Sequence, residues 1–96
     1  MEYFGDYSKA KVYIIKCQDK VYIGSTIKSL EERFKEHKAA NNRCTSKILF
    51  QLGEPTIELL EAFSCDNKSE LLKREGELMS QYPNRVNRLI PSINQI

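Results

Sequence analysis

Residues 10–26, Ala10-Lys11-Val12-Tyr13-Ile14-Ile15-Lys16-Cys17-Gln18-Asp19-Lys20-Val21-Tyr22-Ile23-Gly24-Ser25-Thr26, decide the fold of this 96-residue chain. Residues 10–17 are β-branched and aromatic and predict a strand. Gln18-Asp19 breaks it, and residues 20–26 predict a second strand, so the stretch reads as a short hairpin. With a two- or four-residue turn, the numbers of paired residues sum to 37. Tyr13 then faces Gly24 and Ile15 faces Tyr22, which makes Tyr13 and Tyr22 diagonal neighbours on one face. A three-residue loop without a bulge would put them on opposite faces. Gly24 opposite Tyr13 predicts a gap above the strand that would admit a ligand backbone.

Outward from the hairpin, Ser29-Leu30-Glu31-Glu32 is a capping-box start and predicts a helix over about 30–40, ended by Asn41-Asn42. Thr45-Ser46 caps a short second helix carrying Ile48, Leu49, Phe50 and Leu52, with Gly53 as its stop. Pro55 leads into a third strand, about 56–63, in which Ile57, Leu59 and Phe63 alternate with other residues. Asn67 with Glu70 caps a third helix over about 68–81, stopped by Pro83 and Asn84. The tail carries Val86, Leu89, Ile90 and Ile93, enough apolar surface to pack back on the domain. The order is β-β-α-α-β-α. No β-α-β unit with a glycine-rich turn is present, so a dinucleotide fold is unsupported.

A chain of this length and 11.2 kDa holds one core, so residues 1–96 read as a single domain with its centre over about 10–90. No apolar run approaches the roughly 18 residues of a membrane span. The N-terminus has no basic and apolar leader, which predicts an intracellular protein that is not secreted. Cys17, Cys44 and Cys65 are odd in number and widely spaced, and His37 is the sole histidine. That argues against a disulfide framework and against structural zinc. Residues 1–48 hold ten Lys/Arg against six Asp/Glu, net +4, whereas 49–96 hold five against seven, net −2. The asymmetry points to a polyanion as partner of the first half.

Helical periodicity singles out three residues. At ~100° per residue, with Leu30 at zero, Phe34 falls near +40°, Arg33 near −60° and His37 near −20°. Glu31, Glu32, Lys35 and Glu36 fall on the far side. With Leu71 at zero in the third helix, Leu78 lies at roughly −20°, Met79 at +80° and Glu75 at +40°, inside the apolar stripe. A carboxylate there needs a cation, a metal or a hydrogen-bond donor. An internal Arg33–Glu75 ion pair is one way to satisfy it.

These residues together resemble a known family. Val12-Tyr13, then Tyr22-Ile23-Gly24-Ser25-Thr26, then Leu30-x-x-Arg33-x-x-x-His37, is similar to the GIY-YIG nuclease domain. Lys73-Arg74-Glu75 with Leu78, and Val86-Asn87, look like its helix glutamate and closing asparagine. Lys11 stands where the family has its first glycine, and a strand position accepts that change. The resemblance implies an α/β (α+β) fold, a small three-stranded antiparallel sheet flanked by three helices. It implies endonucleolytic hydrolysis of DNA with one Mg²⁺ (or Mn²⁺), leaving 5′-phosphate and 3′-hydroxyl ends.

The implied roles are a metal on Glu75, a phosphate grip by Arg33, and a water oriented or deprotonated by Tyr13. Tyr22 would bind the phosphate or tune that step, His37 would relay a proton or hold Tyr13, and Asn87 would be a hydrogen-bonding support. Gly24, Ser25, Lys35, Lys38, Arg43 and Lys47 are the expected DNA contacts. A homodimer, or an additional DNA-binding domain or partner, would supply specificity. The alternatives are a non-cleaving nucleic-acid-binding or protein-interaction module on the same fold, and a structural domain in which Arg33 and Glu75 simply pair.

Overall fold

A computed structural model of the chain describes residues 7–39 and 47–87. A 3₁₀ turn at Tyr7–Lys9 leads into strand β1 (Lys11–Cys17), strand β2 (Lys20–Thr26), helix α1 (Leu30–Ala39), helix α2 (Lys47–Leu52), strand β3 (Thr56–Ala62) and helix α3 (Lys68–Met79). The order is the expected one. The sheet is antiparallel throughout, with spatial order β2-β1-β3.

The hairpin takes the two-residue turn, and its pairs run from Lys11↔Thr26 to Cys17↔Lys20, with Tyr13↔Gly24 and Ile15↔Tyr22 among them. Gln18 takes a positive φ of 57° to make the turn, a conformation that costs a side-chain-bearing residue some strain. Lys11 has no such demand. It is extended in β1, so a residue with a long side chain sits there without backbone conflict.

β1 is central, and its run Val12-Tyr13-Ile14-Ile15 is buried on both faces. On one face Val12 and Ile14 join Val21, Ile23, Leu71, Leu78 and Met79, so α3 closes that side. On the other, Tyr13, Ile15 and Cys17 meet Leu49, with Leu30 and Phe34 packed against them, so α1 and α2 close it. Both outer helices begin with the expected caps. Glu32 N donates to Ser29 Oγ at 3.1 Å, and Glu70 N donates to Asn67 Oδ1 at 2.9 Å. The cap residues expected for α2, Thr45 and Ser46, lie outside the described residues, as do Asn41-Asn42, Cys44, Leu89, Ile90 and Ile93.

Two details depart from the sequence reading. The β1–β3 register shifts between Val12 and Tyr13, because Val12 pairs with Glu61 and Tyr13 with Leu59. Leu60 is therefore an extra residue, a bulge that reverses the alternation. Leu59 ends up 52% exposed, and Phe63 packs on the α3 side while Ile57 packs on the other. Helix α3 ends at Met79 rather than near 81, with Ser80 as its cap.

Residues 84–87 run beside β2 and cover its outer edge. Val21 N donates to Asn84 O at 3.3 Å, and Val86 N donates to Val21 O at 2.7 Å. Asn87 completes the cover with its side chain, accepting from Ile23 N at 2.9 Å and donating to Ile23 O at 2.8 Å. Among the described residues no helix is long and apolar enough to cross a membrane.

Candidate active site

The α1 face of the hairpin gathers four of the singled-out side chains. Tyr13 is fully buried on β1, and its phenol oxygen lies 2.7 Å from His37 Nε2. Arg33 Nε donates to the same oxygen at 3.1 Å. The i, i+4 spacing on α1 places Arg33 and His37 one turn apart, so both reach one phenol. The His37 ring stands edge-on to both tyrosines, with centroids 5.7 Å from Tyr13 and 5.1 Å from Tyr22.

The electrostatics follow from burial. Burial, helped by the Arg33 charge and opposed by Glu36, pushes the His37 imidazole down to about 4. The ring is therefore neutral at neutral pH, one nitrogen donating and the other accepting. Burial also pulls on the Arg33 guanidinium, but Tyr13 and the hydrogen bonds to Glu36 and Tyr13 outweigh it and hold its pKa above the ordinary value. It carries a full positive charge beside a buried phenol.

The other face supplies the carboxylate. Glu75 is 8% exposed on α3, as its place in the apolar stripe requires. Ser25 Oγ donates to its Oε1 at 2.5 Å. Burial raises the Glu75 pKa, and the Ser25 hydrogen bond and the charge of Arg33 recover part of that shift. The internal Arg33–Glu75 ion pair is not formed. Arg33 pairs instead with Glu36, Nη1 to Oε1 at 2.7 Å. Nothing among the described residues hydrogen-bonds Glu75 Oε2. Successive residues of β2 thus serve the two faces, Gly24 beneath Tyr13 and Ser25 against Glu75.

Gly24 corrects the expectation of an open gap for a ligand. The Tyr13 ring fills that space, and a Cβ on Gly24 would lie 2.5 Å from Tyr13 Cζ. Gly24 is buried, so its part is to let the phenol cross the strand towards His37 and Arg33. Gly24→Ala is expected to cost about 1–3 kcal/mol by overpacking and to dislodge the phenol, read as a lowered urea midpoint. Gly53→Ala is the control, its new Cβ meeting Cys17 Sγ at 3.3 Å and the rest of its surroundings more loosely.

Ser25, expected as a DNA contact, donates its hydroxyl to Glu75. Among the described residues Lys35, Lys38 and Lys47 make no bond to the cluster. Lys35 and Lys38 are exposed on α1, the latter with Nζ 5.4 Å from the Phe34 ring centre. Arg43 lies outside the described residues. Sequence reasoning missed Glu36, placed on the far side of α1. Its signal was available, since an acid three residues after Arg33 is one turn away and within reach.

The comparisons come last. No curated relative and no solved structure matches the chain. A family model does, over residues 9–88, which takes in every element from β1 to α3 and the edge-covering Asn87. The tyrosine pair, the Arg33–His37 turn and the buried Glu75 all fall inside that span, and the chain belongs to the family of the GIY-YIG catalytic domain, a nuclease family.

Proposed function

We propose that the chain is a metal-dependent DNA endonuclease, hydrolysing phosphodiester bonds to 5′-phosphate and 3′-hydroxyl ends with one Mg²⁺ (or Mn²⁺) at Glu75. The observation that carries this reading is Glu75 itself. It is a carboxylate buried in an apolar stripe, held by one serine, and without an ion-pair partner among the described residues. A structural acid would be paired or replaced. A carboxylate that awaits a cation has reason to be left so.

The residues present fit such an ion. Mg²⁺ binds hard oxygens, commonly through one or two carboxylates, and keeps several waters. Glu75 would supply that oxygen, through Oε2. Among the described residues no group of three or more His, Cys, Asp or Glu forms a cage, and a largely hydrated ion needs none. Once bound, the ion would stabilise the charge developing on the scissile phosphate and the leaving oxygen.

Protein groups do the rest. Arg33 commits Nε to Tyr13 and Nη1 to Glu36, and the remaining donors of its fork suit a phosphate oxygen. Tyr13, ionised to its phenolate, orients the attacking water and takes its proton. A free phenol titrates near 10 and is a weak base at pH 7. The Arg33 cation on the phenol oxygen offsets that weakness by stabilising negative charge there. The neutral His37 fixes the direction of the phenol, and Tyr22, set against the same ring, lines the phosphate side. Asn87 supports the backbone of β2 behind Gly24 and Ser25. The free thiols of Cys17 and Cys65 suit the reducing, intracellular compartment of this reading.

Supercoiled plasmid incubated with the protein tests the proposal. Nicking is expected in Mg²⁺ or Mn²⁺ and is expected to stop with EDTA. Mn²⁺ is also expected to broaden the NMR signals of Glu75 and Ser25, a readout independent of turnover. A folded protein that binds the plasmid but leaves it intact in both metals would overturn the enzyme and favour the non-cleaving module.

A further inference from the structure

The Arg33 guanidinium does not stand alone on α1. Glu36 takes its Nη1 at 2.7 Å, and the second carboxylate oxygen of Glu36 accepts from Lys28 Nζ. Lys28 lies in the β2–α1 loop, and its carbonyl accepts from Lys11 Nζ at 2.8 Å, which also donates to Lys9 O at 2.9 Å. A continuous line of contacts therefore runs from Lys11 through Lys28 and Glu36 to Arg33, and from there to the Tyr13 phenol.

The line has a geometric consequence. Guanidinium is planar, so fixing Nη1 on Glu36 and Nε on Tyr13 sets the plane of the whole fork. Without Glu36, the long arginine side chain would keep a single hydrogen bond, at 3.1 Å, and several rotamers. The charges are also arranged for a phosphate. Glu36 alone would repel one, but Lys28 neutralises it, and two cations with one anion leave this group at +1. Glu36 is 38% exposed and Arg33 33%, and pairs that exposed contribute little to stability. The contacts matter for orientation.

We propose that Glu36, neutralised by Lys28, is a positioning residue that holds the Arg33 fork at the angle needed to serve the Tyr13 phenol and the scissile phosphate together. Lys11 anchors the loop from which Lys28 reaches, so the residue that replaces the family's glycine takes part in the brace. The inference rests on the nuclease reading above.

Steady-state cleavage of a labelled duplex by wild type, Glu36→Ala and Glu36→Gln tests it, together with NMR exchange of the Arg33 Nε–H. Alanine is a strong helix former, so the fold is kept. Glu36→Ala is expected to lower kcat about 10- to 100-fold, the usual scale for a misplaced catalytic group, with KM nearly unchanged. Its Arg33 Nε–H is expected to exchange faster. Glu36→Gln keeps a carbonyl acceptor for Nη1 and is expected to recover most of the rate. A Glu36→Ala enzyme as fast as wild type or faster would overturn the proposal, because Glu36 would then compete with the phosphate for Arg33. Unchanged Nε–H exchange would overturn it as well. An inert wild type would sink the nuclease reading and the catalytic role with it, while Nε–H exchange would still report whether the brace exists.

Discussion

Glu75→Gln is expected to lower the nicking rate by on the order of 10³-fold or more while raising the melting temperature at neutral pH. The two effects share one cause. The carboxylate is buried, and burial raises its pKa from 4.5. A group raised on folding stabilises the folded state fully below its unfolded value, and that contribution is lost as pH rises through the folded value. At neutral pH the fold therefore carries the cost of a desolvated charge. Glutamine removes the charge and keeps an oxygen for the Ser25 hydroxyl. The gain in melting temperature should shrink as pH falls towards 4, where wild type is itself protonated. Thermal melts at pH 7.5 and pH 4, beside the plasmid assay, check both halves. A variant that melts lower than wild type at pH 7.5 would mean that the carboxylate is a structural partner, and wild-type nicking would remove it from the chemistry.

The residues that could be placed from sequence are those governed by a single element. Glu75 and Leu78 fell in one stripe because α3 has a fixed period, and Arg33 and His37 shared a face for the same reason. The hairpin register was open only in its turn length, and the two-residue turn at Gln18-Asp19 resolved it. What escaped depends on how elements meet. Gly24 looked like a gap because pairing shows who faces whom, and not that the Tyr13 ring leans across the strand. Ser25 resembles any strand serine until α3 brings Glu75 to it. The bulge at Leu60 has no glycine or proline to announce it, yet it turns Phe63 to the opposite core from Ile57. Glu36 was assigned to solvent by its angle, although a long side chain at the margin of a face reaches across it to Arg33 and Lys28.

Tyr13→Phe separates the phenol oxygen, the proposed base, from its ring. The ring fills the space above Gly24 and belongs to the core with Ile15, Cys17 and Leu49, and phenylalanine keeps that packing. The oxygen alone is lost. It lies 2.7 Å from His37 Nε2 and accepts from Arg33 Nε at 3.1 Å. Leaving a buried ring nitrogen without that partner is expected to cost about 1–3 kcal/mol, read as a lower urea midpoint with the slope unchanged. Cleavage is expected to fall about 10²- to 10⁴-fold, the range for losing a general base. Tyr22→Phe is the comparison, since Tyr22 is set edge-on to the same imidazole, while the phenol proposed as the base is that of Tyr13. Its rate should fall less. If Tyr13→Phe cleaved at nearly the wild-type rate, the water's proton would have to leave by another group. The neutral imidazole of His37, with its phenol partner gone, would be the candidate. Burial and the Arg33 charge both oppose protonation of that ring, whereas the guanidinium donates directly to the Tyr13 oxygen and stabilises its phenolate, the form that accepts the proton.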